Sequence, residues 1–137
     1  MHMITSPPPI RNNAQTMADA PIFHDAMKRS TVFTTCVPAP QILGRVARAV
    51  TEMGNVSPRI NWDTFQVEVV QDDNDGLLVC TIQIFLSREI PGPVYIVEFV
   101  RGPEYEIFAF KTFFGQLIHL LNLANIVRSD HMHTLRY

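Results

Sequence analysis

The chain has 137 residues and a formal net charge of −2 at pH 7, with 47% hydrophobic and 18% charged residues. This length accommodates one domain and a tail, and the hydrophobic content supports a core without metal ions or disulfides. Because no apolar run approaches the ~20 residues that span a bilayer and the start lacks the apolar segment of a secretion signal, we predict a soluble protein of the cytoplasm or nucleus with reduced Cys36 and Cys80.

Residues 1–29 predict a flexible, proline-rich leader, since Pro7-Pro8-Pro9 lies among mostly polar residues. A short docking helix is predicted from Asp19 onward, because Pro21 suits a first helical turn and several apolar residues share one side. These residues are Ile22, Phe23, Ala26 and Met27. A helix of this length needs a surface to lie on. Residues 127–137 predict a polar tail.

The first strand and helix are predicted between residues 30 and 54. Residues 30–35 are β-branched and aromatic, which indicates a strand. Pro38 and Pro40 end this strand and begin a helix, and Gly54 is a typical helix stop. The apolar residues of the helix recur on one side: Ile42, Val46, Ala49, Val50 and Met53.

Three further strands and a closing helix are predicted in the rest of the domain. Alternating patterns indicate strands over residues 65–69, 77–86 and 94–100, with an Asp-rich turn over residues 72–76. The closing helix has one apolar side, formed by Ile107, Phe110, Phe114, Leu117, Ile118 and Leu121. Short connections favour antiparallel neighbours. The predicted fold class is α+β, with a four-stranded antiparallel sheet in the order strand, helix, three strands, helix.

Residues 30–126 resemble the kinase-associated-1 domain, the C-terminal regulatory domain of calcium/calmodulin-kinase-like protein kinases. These kinases include the microtubule-affinity-regulating, checkpoint and AMP-activated kinases. In the first half, the resemblance rests on Phe33-Thr34-Thr35, Pro40, Ile42, Val46, Val50 and Met53-Gly54. In the second half, it rests on Val97-Glu98-Phe99-Val100-Arg101-Gly102, Phe110-Lys111, Phe113, Leu117 and Leu121.

The resemblance implies two helices packed on one face of the sheet and a noncatalytic regulatory role. The expected partner is a protein kinase catalytic domain in the same parent chain, or a kinase regulatory subunit. The corresponding functions are autoinhibition and subunit assembly. The choice between them, the parent kinase and the oligomeric state stay open.

A second implication of the resemblance is the binding of anionic phospholipids, which family members achieve with clustered basic residues. The candidate contacts in this chain are Arg45, Arg48, Arg101 and Lys111. Residues 30–126 carry six basic and ten acidic residues, a net charge of −4. This sign favours a protein partner over an anionic membrane, although peripheral membrane association remains an alternative. It also argues against a nucleic-acid partner.

No catalytic residues, metal site or cofactor are predicted. The segment Asp72-Asp73-Asn74-Asp75-Gly76 lacks the length and the closing Glu of a calcium loop. His131 and His133 lack the further ligands that a zinc site requires. Phosphate-binding loops, nucleophile elbows and kinase catalytic motifs are absent from the sequence. A stand-alone small binding domain is the third hypothesis.

The sheet face opposite the helices is the predicted docking surface. If Leu78, Cys80 and Ile82 face the helices, strand alternation places apolar residues on the other face, where polar residues are expected. The predicted docking residues are Val70, Val79, Phe85, Ile96 and Val100. The alternative is that residues 19–29 fold back and cover this face.

Overall fold

The computed structural model describes residues 19–22, 31–73, 76–88, 94–123 and 125–126. Within these ranges, five strands and two helices follow one another. They are β1 (Thr31–Thr35), α1 (Ala39–Met53), β2 (Val56–Asn61), β3 (Gln66–Gln71), β4 (Leu78–Ser87), β5 (Val94–Arg101) and α2 (Ile107–Leu123). The predicted α+β class with two helices is confirmed, and the predicted strand number of four is wrong, since the sheet has five.

The sheet is antiparallel throughout, with the spatial order β1-β5-β4-β3-β2. From β2 to β5, each strand pairs with the next one along the chain. β1 instead pairs with β5, and Phe33 lies opposite Val97. The beginning of the domain is therefore held against its last strand, and β1 and β2 form the two edges.

β2 is the strand that the sequence-based prediction lacks. Its residues, Val56-Ser57-Pro58-Arg59-Ile60-Asn61, include a proline and little apolar surface. Because proline cannot donate a ladder hydrogen bond, sheets accept it mainly at edges and bulges. Pro58 lies opposite Val69 on an edge strand, where one side of the backbone needs no ladder partner. The position of the segment in the sheet, which its sequence does not reveal, permits the strand.

α1 begins and ends where the sequence predicts. Pro40 lies in its first turn, and Gly54 ends it in the left-handed conformation (φ 90°) with its N–H donating to Thr51 O at 3.2 Å. Glycine adopts this conformation without the steric cost that a Cβ adds. Ile42 and Val46 are fully buried on the side that packs against the sheet.

α2 begins at a side-chain cap and packs over the end of β5. The Glu106 carboxylate accepts hydrogen bonds from the N–H groups of Phe108 and Ala109, both at 2.9 Å. The Phe114 ring meets the Phe99 ring edge-on, with 4.9 Å between centroids. α1 contacts both α2 and the sheet, and residues of both helices share one core cluster with Phe99. The two helices thus cover one face of the sheet.

Candidate docking face

The sheet has a face under the helices and an opposite face, which we call the outer face. Side chains alternate along a strand, and directly paired residues share a face. Phe99, Ile82 and Val67 are cross-strand neighbours that belong to the core cluster. The residues directly before and after each of them along its strand therefore point outward. In β5 and β4, the outer-face residues pair as Ile96 with Phe85, Glu98 with Gln83, and Val100 with Thr81.

A β-bulge changes the composition of the outer face. Val69 pairs with Cys80, but Val70 pairs with Leu78, which leaves Val79 as an extra residue. Since Val69 and Val70 point to opposite faces, Leu78 lies on the outer face with Val70. Val79 is fully buried in the core cluster. The prediction that Val79 belongs to the outer face and Leu78 to the core is therefore wrong.

The other four predicted docking residues lie on the outer face with very different exposure. Val70 and Phe85 are only 7% and 6% exposed, whereas Val100 is 47% exposed. Ile96 is half-buried. The surface that a partner can reach is consequently narrower than the sequence predicts. It is centred on Val100, with half-buried Leu78 on the neighbouring strand.

Glu98 is buried in the middle of the outer face. It is 5% exposed, between Val32 in β1 and Gln83 in β4. The Gln83 amide nitrogen donates to the backbone oxygens of Thr64, Phe65 and Ile84. Within the described ranges, no hydrogen-bond donor or cation contacts the Glu98 carboxylate. A buried carboxylate is costly unless it is paired, so Glu98 is an unusual residue for the middle of a sheet.

Residues 19–22 form an extended segment that joins the sheet. Ile22 bridges Leu86 in parallel, and the Leu86 N–H donates to Pro21 O at 2.6 Å. The Ile84 N–H, on the same side of β4, donates to Phe65 O at the start of β3. The segment therefore occupies the place beside β4 where β3 no longer reaches. The predicted helix does not begin at Asp19, and residues 23–29 lie outside the described residues.

Asp19 anchors this segment through the Tyr95 hydroxyl, which donates to Asp19 Oδ2 at 3.0 Å. Burial of Tyr95 raises the pKa of its phenol to about 12, and the hydrogen bond to Asp19 and its negative charge act in the same direction. Ala20 is buried in the core cluster. The packing of residues 19–22 is thus directed to the helix side and the sheet end rather than to the outer face.

Three of the four predicted anion contacts interact with other residues of the chain. Arg48 Nε lies 3.5 Å from a Glu52 carboxylate oxygen. An Arg101 guanidinium nitrogen donates to Tyr105 O at 2.6 Å. Lys111 Nζ lies 5.6 Å from the centroid of the Phe108 ring. Arg45 is exposed on α1.

Other features of the described residues offer little chemistry. No three His, Cys, Asp or Glu side chains in these ranges gather as metal ligands. An open groove beside α2 is lined in part by Met53, Lys111 and His119. Cys36 is exposed and Cys80 is buried, both as free thiols, and burial raises the pKa of Cys80. Neither described helix combines the length and apolarity that crossing a bilayer requires. His131 and His133 lie outside the described residues.

Comparison with known proteins gives no assignment. The sequence matches no protein-family model and no curated protein.

Proposed function

We propose that this domain is the noncatalytic regulatory domain of a serine/threonine protein kinase, of the kinase-associated-1 kind. Its partner is the kinase catalytic domain of the same parent polypeptide, which it contacts through the outer face. The observation that carries the proposal is the layered fold, in which both helices cover one sheet face and the other presents the exposed side chain of Val100.

The composition of the outer face supports docking. A solvent-facing antiparallel sheet usually carries polar side chains in alternation with its core residues. Here Val100 is 47% exposed, and Leu78 and Ile96 are half-buried on the same face. An apolar side chain that is exposed beside half-buried apolar neighbours offers a contact point for a partner, which is the basis of the proposal. A protein partner that removes this apolar surface from water would gain binding free energy.

The residues that carry the family resemblance support the kinase assignment by their structural roles. Gly54 ends α1 in the left-handed conformation. Gly102 follows β5 at a close approach to Leu78, and Phe110 and Leu117 are buried in α2. The resemblance rests on these residues as packing and helix-end positions, and in this structure Phe110 and Leu117 are buried while Gly54 ends a helix. They support a common fold with the family and, through it, the regulatory role.

The first test is enzymatic. The full chain is added in trans to the catalytic domain encoded in the same reading frame, and phosphorylation of a generic peptide is measured. We expect the wild-type chain to lower the activity and Val100→Asp to weaken this effect at least tenfold. Phe108→Ser is the matched control, because Phe108 is an exposed apolar residue in the helix layer.

Several outcomes would contradict the proposal. One is a reading frame without a kinase catalytic domain. Another is equal inhibition by the wild type and Val100→Asp. Binding without inhibition, seen by co-purification and abolished by Val100→Asp, would indicate subunit assembly instead of autoinhibition.

The phospholipid alternative has its own test. The chain is sedimented with phosphatidylcholine vesicles that contain either no phosphatidylserine or a large fraction of it. We expect equal binding to both, because the domain is net negative and Arg48 is already paired with Glu52. Binding that rises with phosphatidylserine and is lost in Arg45→Glu/Arg48→Glu would favour the membrane function.

A further inference from the structure

The β2 strand has one side that no strand of the described ranges pairs with, which we call its free edge. On its other side, β2 pairs with β3 in antiparallel register. In such a ladder, residues whose N–H and C=O groups bond to the partner strand alternate with residues whose groups point away from it. The Asp72 N–H donates to Asn55 O at 3.2 Å, one position before β2, which fixes this alternation. The residues that bond to β3 therefore include Ser57 and Arg59. The residues that point to the free edge are Val56, Pro58 and Ile60.

A hydrogen bond on the far side of β3 agrees with this alternation. Gln71 lies opposite Val56, and its N–H donates to the O of Leu77, the residue before β4, at 2.9 Å. The backbone groups of Gln71 therefore point away from β2, as do those of Val69, which lies opposite Pro58. The N–H that proline lacks is consequently missing from the free edge and not from the ladder between β2 and β3.

A free strand edge can pair with the same edge of a second copy of the chain. Two-fold symmetry would bring the two β2 strands together in antiparallel orientation. In the register centred on Pro58, Val56 lies opposite Ile60 of the second copy, and the two Pro58 residues lie opposite each other. Three pairs with two hydrogen bonds each would then join the strands, and proline removes both bonds of the central pair. Any other symmetric register that pairs two of these residues places Pro58 in both pairs.

We propose that Pro58 closes the free edge of β2 to a second copy of this chain, so that the sheet ends at β2. The proline leaves the ladder of the domain itself intact and removes a donor only where a partner strand would need it. The exposed side chain of Arg59 acts in the same direction. In the register centred on Pro58, the two Arg59 residues would be diagonal neighbours about 7–8 Å apart, where like charges repel.

This inference goes beyond the proposed function and involves no kinase. It concerns an edge of the sheet, whereas the proposed docking uses the outer face around Val100. Failure of the kinase experiments would leave it unaffected. Conversely, a variant chain that pairs with itself through β2 could still dock through Val100.

The test is hydrogen exchange of the full chain at protein concentrations from ~10 to ~500 µM, combined with sedimentation velocity. Pro58→Val restores the missing donor. We expect this variant to form a dimer in which the amides of Val56 and Ile60 exchange at least tenfold more slowly as the concentration rises. The wild type should show no such dependence. Ser57→Val is the matched control, because it adds the same side chain to β2 while the N–H of residue 57 points to β3.

Each other outcome overturns the proposal. If the amides of Val56 and Ile60 in Pro58→Val exchange equally at all concentrations, the missing donor is not what keeps the copies apart. Concentration-dependent protection of these amides in the wild type would show that the edge is open despite Pro58. Equal protection in Ser57→Val would assign the effect to added apolar surface. If Pro58→Val does not fold, Pro58→Ala, with a side chain smaller than the proline ring, is measured with the same threshold. Unfolding of both variants would mean that the fold itself requires the proline.

Discussion

Gly102 lies where the chain leaving β5 passes the bulged part of β4. Its N–H donates to Val79 O at 2.8 Å, and a Cβ at this position would lie 2.1 Å from Leu78 O. A backbone oxygen cannot rotate away as a flexible side chain can, so Gly102→Ala must displace one of the two strands. We expect the free energy of unfolding to fall by about 1–3 kcal/mol, measured by urea denaturation.

Gly115→Ala is the matched control for this substitution. Gly115 is exposed in α2, and apart from its chain neighbours and the backbone of its own helix no atom lies within 4 Å of the place that a Cβ would take. Because alanine favours a helix interior by roughly 0.5–1 kcal/mol over glycine, the control should be at least as stable as the wild type. Similar losses of stability in both variants would contradict the close approach at Gly102.

The raised pKa of Tyr95 predicts that the free energy of unfolding falls at alkaline pH. The pKa of its phenol is about 12 in the folded chain, against 10.0 for the free side chain. As the pH rises, the unfolded chain releases this proton first, so the stabilising contribution is complete below about pH 10 and disappears between about pH 10 and 12. Tyr95→Phe should be less stable than the wild type by about 1 kcal/mol at pH 7. The difference should shrink above pH 10, and urea midpoints whose separation is constant up to pH 11 would contradict this.

Among the elements, α2 depends on the carboxylate cap at Glu106. Its hydrogen bonds from the N–H groups of Phe108 and Ala109 hold the pKa of Glu106 below its ordinary value. The cap therefore contributes fully above about pH 4.3 and loses its contribution as the pH falls through the lowered pKa. We expect Glu106→Gln to lower the Tm modestly at pH 7 and to match the wild type near pH 2.

The control for the cap is Glu104→Gln, at an exposed carboxylate in the preceding turn. Its Tm should follow the wild type at both pH values. A deficit of Glu106→Gln that is the same at neutral and acidic pH would mean that the charge of the cap is unimportant.

The elements also differ in how far the sequence determines them. Both helices are predictable because their signals lie within a few residues of one another along the chain. α1 ends at Gly54, and α2 carries a regular apolar stripe through Phe110. β2 is not, because Pro58 is acceptable only through its edge position. The bulge at Val79 is likewise set by how β3 and β4 pair, and it moves one predicted docking residue into the core.

On the scale of the whole molecule, two segments from the first quarter of the chain are held against strands from its second half. β1 pairs with β5, and residues 19–22 pair with the end of β4 and bury Ala20 in the core. The sequence predicts that the domain begins at residue 30. It does not reveal the contacts of Asp19 and Pro21, because these are made with residues more than sixty positions away. The folded unit therefore includes part of the leader.

Hydrogen exchange tests this arrangement across the entire sheet. β4 and β5 are paired on both sides, whereas β2 has a partner strand only on its β3 side within the described residues. The amides of Ile84 and Val97 should exchange only through global unfolding. Alternate N–H groups of an edge strand face its free side, so of Arg59 and Ile60 in β2 only the one that donates to β3 should be protected, and it should exchange at least tenfold faster than Ile84 through local opening. Exchange of both amides as fast as in an unstructured peptide would indicate a four-stranded sheet. Protection in β2 equal to that of β4 would mean that its outer edge is paired after all, and a dependence on protein concentration would then identify a second copy of the chain as that partner.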